Sequence, residues 1–455
     1  MQNTPSRSLL FSIVFIEGFC SLGAEVIALR QIIPHMGSSI VVTAPTIGFF
    51  LLALALGYQS GAKISANYLA VVAKNFLIAG ALTGVGLSGV CVDLIFATLN
   101  PAMLAYLVFI AVVLGPLAWL MGQTVPILTN LMKHERTGEA SGYALYYSTL
   151  GSFLGSISLS LLIMQWLGVS AAVAICALLL IAGFVLLGQR SVGTVRTVFA
   201  AFAAALLTVT CNTWLRPVIE TAYANYSVIP VTIDGAVNPR AFKNNNSLAS
   251  LIDEGEPRRY TRYVHHIRSI LLEEFAFRDR RILVLGAGGF TLSHREPLNQ
   301  YTYVDIDPAI RGIAEKEFLN EAALGKFIVD DARHFVVSTQ EAPFDAVVVD
   351  VYSSHSSIPG HLVTREFWHS TRRVLSKEGV LIANLILDGP LATPYARNLL
   401  ATIESVYGRC AVEVLHKQQP LSNVIVTCRS GNQPQEPGLY VDERNSADFD
   451  LARSR

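Results

Sequence analysis

Seven apolar stretches crowd the first 215 residues, at about 9–32, 39–61, 75–98, 102–127, 141–166, 168–188 and 197–215. Crossing about 30 Å of hydrocarbon takes roughly 20 apolar residues in a helix. Each stretch is therefore long enough to span a bilayer. The first is not read as a cleavable leader, since it is too long, holds Glu17 and Glu25, and lacks a small-residue cleavage site. The seventh is the weakest, alanine-rich and interrupted by Thr208, Thr210 and Asn212. Charge follows the same division: of 34 basic and 34 acidic residues, only 13 precede residue 216. A transmembrane helical domain, 1–215, thus precedes a soluble half of ordinary polarity. With no net charge there is no basic stripe to neutralise phosphates, so nucleic acid is not an expected partner.

Lys and Arg in the short loops set the orientation of such a bundle. The N-terminus and the even-numbered loops carry Arg7, Lys63, Lys74, Lys133, Arg136, Arg190 and Arg196, whereas the odd-numbered loops carry Arg30 alone. This predicts a cytoplasmic N-terminus, an inner-membrane protein and, after seven spans, an extracytoplasmic C-terminal half. Glu17 and Glu25 sit about 80° apart on a helix, near one face. They read either as a polar site or as a structural pair. Gln123-Thr124-Val125-Pro126 reads as a kink where a helix ends. Gly151, Ser152 and Gly155 offer a small-residue face for close helix packing.

The soluble half opens with a β/helix region, 216–280. Tyr226–Ile233 and Ser247–Ile252 read as strands, and Arg262–Phe277 has helical spacing of Val264, Ile267, Ile270, Leu271 and Phe275. Residues 281–430 alternate buried strands with helices, the pattern of a parallel, doubly wound sheet. Arg281–Leu285 runs into the glycine turn Gly286-Ala287-Gly288-Gly289, and the next strand ends at Asp305, 19 residues after Gly286. That offset suits an acid accepting from ribose hydroxyls. A helix is expected directly after the turn, its free N–H groups facing a ligand. Phe327–Val329 leads to Asp330-Asp331, and Phe344–Val349 leads to Asp350. Ligands of such sheets bind beyond these strand ends. Each acid should therefore lie outside the core, so that Asp305→Ala would weaken binding and spare the fold. After Asp350 come Tyr352 and His355, both candidate proton donors or acceptors. No His/Cys cluster has zinc spacing, so no metal is expected.

These residues resemble the polyamine aminopropyltransferase (spermidine synthase) family in its membrane-fused form, over about residues 220–430 and in the Glu17–Arg30 stretch of the first span. The resemblance implies a small β region followed by a class I methyltransferase-like α/β sheet. It also implies decarboxylated S-adenosylmethionine as co-substrate and transfer of its aminopropyl group to an amine. Residue by residue, the cofactor-binding positions fall on Gly286, Gly288 and Asp305. Those for substrate fall on Asp331 near the adenine and on Tyr260 with His266. The catalytic aspartate falls on Asp350. Two family carboxylates are missing, replaced by Gly289 and Ser353, and with them partners for a cationic amine.

Cys410–Leu415 and Asn423–Cys428 read as two strands around Gln419, a register that sets Cys410 opposite Cys428. The pair is either a disulfide, suited to an oxidising compartment, or two reduced core cysteines. Residues 431–455 read as a polar, mobile tail. Three readings follow. The first is a membrane enzyme with an aminopropyltransferase-like domain and Asp350 as general acid/base. The second is an extracytoplasmic acid–base enzyme, a lyase or transferase, acting on a glycan or other hydroxylated substrate without a nucleoside. The third is a transporter-like bundle with a sensing domain. The expected partners are a lipid bilayer and a small polar substrate, and a homo-oligomer is compatible with the sequence.

Overall fold

The computed structural model describes residues 6–37, 40–132, 137–191, 193–215, 218–245, 247–341, 343–352, 358–430, 440–443 and 445–454. The chain forms two compact units: Met1–Met36 with Val42–Ala222, and Gly37–Val41 with Tyr223–Arg455.

The first unit contains seven helices long and apolar enough to cross a membrane: Arg7–Met36, Ile40–Ala62, Tyr68–Gly86, Ala102–Leu131, Gly138–Leu167, Val169–Gln189 and Thr194–Trp214. It ends in a two-residue strand, β1 (Ile219–Glu220). The third stretch expected over 75–98 is divided. Its helix begins earlier, at Tyr68, and stops at Gly86, and a separate short helix, Gly89–Thr98, follows. Ser88 makes the break, because its hydroxyl accepts from the Cys91 N–H at 3.3 Å and starts a new helix. The break expected at Gln123 is present: helix Gly115–Gly122 ends there, and helix Thr124–Leu131 starts one residue on. Asn75 donates to Gln123 Oε1 at 2.9 Å, and the two helices together make one apolar span, Ala102–Leu131. The first and fifth helices pack backbone against backbone: a Cβ on Gly151 would lie 2.2 Å from the Phe15 carbonyl oxygen, and one on Gly155 2.3 Å from that of Phe19. Ser152 and Ser148 seal this seam, donating to the Gly18 carbonyl at 3.1 Å and to the buried Glu17 carboxylate at 3.0 Å. This is the small-residue packing that membrane helices use in place of a hydrophobic drive.

The second unit opens with antiparallel strands paired in chain order: β2 (Asn225–Pro230), β3 (Arg240–Asn244), β4 (Ser247–Asp253) and β5 (Arg259–Tyr260). Helix Arg262–Ser269 continues through Ile270–Glu274. The main sheet has seven strands. They are β6 (Arg281–Leu285), β7 (Gln300–Asp305), β8 (Lys326–Val329), β9 (Phe344–Val349), β10 (Leu375–Leu387), β11 (Ala411–Val414) and β12 (Ser422–Arg429). Their order is β11-β12-β10-β9-β6-β7-β8. Six strands run in one direction and β12 alone runs against them, antiparallel to both β10 and β11, so the sheet is mixed rather than wholly parallel. Both faces are buried. Leu283, Val347 and Leu381 pack with Trp368 and Leu399 on one side; Val284, Val348 and Ile382 pack with Phe242, Ile267 and Phe318 on the other. This explains why the strands read as continuous apolar runs.

Cys410 and Cys428 form a disulfide with Cα atoms 4.5 Å apart, in the register expected, and Ala411 pairs with Thr427. Residues 440–454 differ from the mobile tail expected of them. Tyr440 is fully buried, its hydroxyl donates to Asp450 at 2.8 Å, and helix Ala447–Ser454 follows. The apolar Tyr440 and Leu451, spaced among polar residues, join the core below the sheet.

Candidate functional site

The strand order reverses between β6 and β9, where successive connections leave in opposite directions. Crevices open at such switch points, beyond the C-terminal strand ends. Gly286 and Asp350 end these two strands. The Asp350 N–H donates to the Leu285 carbonyl at 2.9 Å. Gly286 has φ +89°, and a Cβ there would lie 2.1 Å from the Asp350 carbonyl oxygen. Only glycine lets the two chains pass this closely.

Asp350 is half-buried. Its carboxylate accepts from the side-chain amide of Asn384 on β10 at 2.8 Å. The Tyr263 hydroxyl donates to the Ala249 carbonyl oxygen at 2.7 Å and lies close enough to favour the charged carboxylate. Burial pushes the Asp350 carboxyl up to about 6, while the hydrogen bonds from Asn384 and Tyr263 pull the other way. A carboxyl in that range changes protonation state easily near neutral pH, as a general base must.

Asp305 ends β7 and binds its own surroundings. One oxygen accepts the Ala287 N–H at 2.9 Å, the other the Asp307 N–H at 3.0 Å. Burial nevertheless raises its carboxyl above the ordinary range. Gly288 has φ +50°, and a Cβ on Gly289 would meet Phe318 at 2.6 Å and Ser250 at 2.8 Å. The Gly289 N–H donates to the Ser250 hydroxyl at 3.0 Å. So the position that carries an aspartate in the family has no room for one here. The helix expected after the turn is absent as well, since residues 287–299 form turns. Phe290, at φ +56°, packs on Tyr303 with ring centroids 4.6 Å apart, and the Ser293 N–H donates to the Tyr303 hydroxyl at 3.0 Å. Anchored to β7 in this way, and with Pro297 close behind, the segment cannot wind into a helix.

Asp331 caps helix Ala332–Ser338, accepting from the N–H groups of Arg333 and His334 at 2.9 and 3.0 Å. Its second oxygen meets His361 Nε2 at 3.2 Å. Burial opposes the charge, but these donors hold the carboxyl below its usual range.

Three expected residues stand elsewhere. The Tyr352 hydroxyl donates to the Asn384 carbonyl and accepts from the Ile386 N–H, each at 2.7 Å. It pins the loop after β9 to β10, and burial lifts its phenol well above the ordinary range. The Tyr260 hydroxyl meets His294 Nδ1 at 2.8 Å, and His266 Nε2 meets Glu413 at 3.1 Å. Neither is among the partners of Asp350. His355 and Ser353 lie outside the described residues. Sequence reasoning missed Tyr263 and Asn384, the two groups that hold Asp350. Asn384 had a signal: it is the lone polar side chain in the apolar run Leu381–Leu387.

A glycine turn and strand-end acids on a mixed, doubly wound sheet, preceded by antiparallel strands, define a spermidine synthase-like, methyltransferase-type domain. No family model matches the chain. The chain is similar to a polyamine aminopropyltransferase of Mycobacterium tuberculosis, 25% identical over 447 residues, covering 88% of this chain and 81% of the relative. It is similar to polyamine aminopropyltransferase 1 of Streptomyces coelicolor at 26% over 418 residues, covering 82% and 75%. A probable spermidine synthase from Corynebacterium glutamicum is 23% identical, with a TM-score of 0.40, over 48% of this chain and 81% of that one. The match to the mycobacterial protein covers more of the chain than the second unit holds, so the resemblance reaches into the apolar helices.

Proposed function

We propose that the chain is a membrane-bound group transferase of the aminopropyltransferase kind, with Asp350 as its general base. The observation that carries this reading is the Asp350 carboxyl at the switch point, raised to about 6 and held by Asn384 and Tyr263. In the reaction, the acceptor amine gives a proton to Asp350 and its nitrogen attacks the carbon next to sulfur. The carbon–sulfur bond then breaks and methylthioadenosine leaves with the electron pair.

The residues suit such a co-substrate. A carboxylate offers about four acceptor sites, and the backbone amides held by Asp305 do not use all of them, which leaves capacity for a ribose hydroxyl. The side-chain-free Gly286 and Gly288 leave space beside it. The acceptor should carry little positive charge, because Gly289 supplies no carboxylate. The seven-to-one loop charge count and the Cys410–Cys428 disulfide support a catalytic unit on the extracytoplasmic side of the inner membrane.

A second reading, acid–base chemistry on a hydroxylated substrate such as a glycan, is favoured by the missing helix after the glycine turn, which removes one set of N–H groups facing a nucleoside.

One experiment separates the two. Purified protein in detergent is given decarboxylated S-adenosylmethionine and a panel of amines, and methylthioadenosine is measured. Release with a weakly charged amine, little with putrescine and none with Asp350→Asn is the expected result. No release with any amine, together with no binding of the co-substrate by calorimetry, rejects the transferase reading in favour of the second.

A further inference from the structure

A second chain of titratable groups lies between β5 and the segment after the glycine turn. The Tyr260 hydroxyl meets His294 Nδ1 at 2.8 Å, and His294 Nε2 meets Glu321 Oε1 at 2.5 Å. Glu321 is held in turn by Arg295, whose Nε and terminal nitrogen reach its two oxygens at 3.2 and 3.3 Å. His294 is buried and Tyr260 half-buried, so the chain runs from the interior to a residue partly open to solvent. It shares no residue with the contacts of Asp350.

The chemistry of each member follows from its neighbour. An imidazole nitrogen facing a carboxylate carries the hydrogen, so Nε2 is protonated and Nδ1 is bare. Nδ1 then accepts the Tyr260 hydroxyl hydrogen, leaving the phenol oxygen with lone pairs turned away from the histidine. The Arg268 guanidinium stands over the Tyr260 ring, 5.2 Å from its centroid. Burial raises the phenol above its ordinary range, and the Arg268 charge pulls the other way. A nucleophile, a base and a carboxylate that orients the base form the arrangement that activates hydroxyl groups in enzymes.

We infer that Tyr260, backed by His294 and Glu321, is the working end of a second proton-transfer site, which takes the proton of a substrate hydroxyl or ammonium group. The substrate proton passes to the Tyr260 oxygen as the Tyr260 hydrogen passes to Nδ1 of His294. Burial disfavours the imidazolium that results and the facing Glu321 offsets part of that cost, and the substrate is left with the electron pair. His294 and Glu321 are positioning residues, since neither touches the substrate.

A plain structural pin would not make the phenol reactive, and reactivity is the readout. The full chain in detergent is treated with N-acetylimidazole, which acetylates tyrosine hydroxyls, and the rate at Tyr260 is followed by peptide mass mapping. General-base assistance is worth roughly 100-fold or more, so His294→Gln should slow Tyr260 by about that factor. Glu321→Gln should slow it by less while keeping the contact geometry. Thermal unfolding identifies which variants are folded, and if His294→Gln is not, Glu321→Gln carries the test. A folded Glu321→Gln protein with an unchanged Tyr260 rate overturns the inference, as does a wild-type Tyr260 no faster than N-acetyltyrosinamide in solution. Because no substrate is needed, failure here is distinct from failure of the transferase reading.

Discussion

The side-chain amide of Asn384 has one orientation only: its oxygen accepts from Asn423 Nδ2 at 2.9 Å, so its nitrogen must face Asp350, which it does at 2.8 Å. The carboxylate that ends β9 is thus aimed by two asparagines from neighbouring strands. Its charged form is favoured by the amide and disfavoured by burial, and burial wins.

Replacing that amide tests the balance. Asn384→Asp sets a second acid against Asp350 and removes the donor, so the Asp350 carboxyl should move further up. Activity that needs the deprotonated base rises with pH through about 6 in the wild type. In the variant this acid limb should move up by at least about one pH unit, the equivalent of about 1.4 kcal/mol. Unmoved pH–rate profiles would remove Asp350 from the role of base.

Asp350 itself should cost stability. A carboxyl whose folded-state value lies above its unfolded value near 3.8 binds protons more tightly when folded. Stability is therefore lost as pH rises from about 3.8 to about 6 and stays low above that. Asp350→Asn lacks this penalty. It should abolish turnover, keep substrate binding, and unfold at a higher temperature than the wild type at pH 7.5, with the gap narrowing towards pH 4.5. Calorimetry at the two pH values checks the sign.

Asp305→Ala should do more than weaken ligand binding. The carboxylate holds the N–H groups of Ala287 and Asp307. Leaving a buried donor without a partner costs about 1–3 kcal/mol. A lowered melting temperature in the absence of any ligand is expected, milder for Asp305→Asn, which keeps one acceptor. A melting temperature equal to that of the wild type would mean the turn does not depend on this side chain.

Tyr352→Phe separates structure from catalysis. Its hydroxyl makes two hydrogen bonds to the β10 backbone. The variant should lose about 1–3 kcal/mol of stability and retain most of its rate below the melting transition. A folded protein with turnover lost would restore Tyr352 to the chemistry.

The orientation is open to direct labelling. Intact cells treated with a membrane-impermeant thiol reagent should label Cys410 and Cys428 only after reduction. Labelling that requires cell lysis as well would put the second unit in the cytoplasm.

The sequence by itself determined whatever depends on neighbours along the chain. Seven apolar runs exceed the length of a span, the buried strands end in Asp305, Asp331 and Asp350, and the register around Gln419 faces Cys410 with Cys428. Hydrophobic period and length act over a few residues, so they are visible without a fold. Tertiary structure decided the rest, since it depends on residues brought together from afar. Asn384 reaches Asp350 across 34 residues of sequence, and Ser250 reaches Gly289 across 39. The turn segment lost its helix because Tyr303 and Ser250 supply the partners that a helix would have supplied internally. Tyr263 rather than Tyr260 lies beside Asp350 because Tyr260 ends strand β5, whereas Tyr263 stands in the first turn of the helix that follows. Composition cannot tell those two tyrosines apart; only the packing of helix Arg262–Ser269 against the sheet does, and it left Tyr260 to His294.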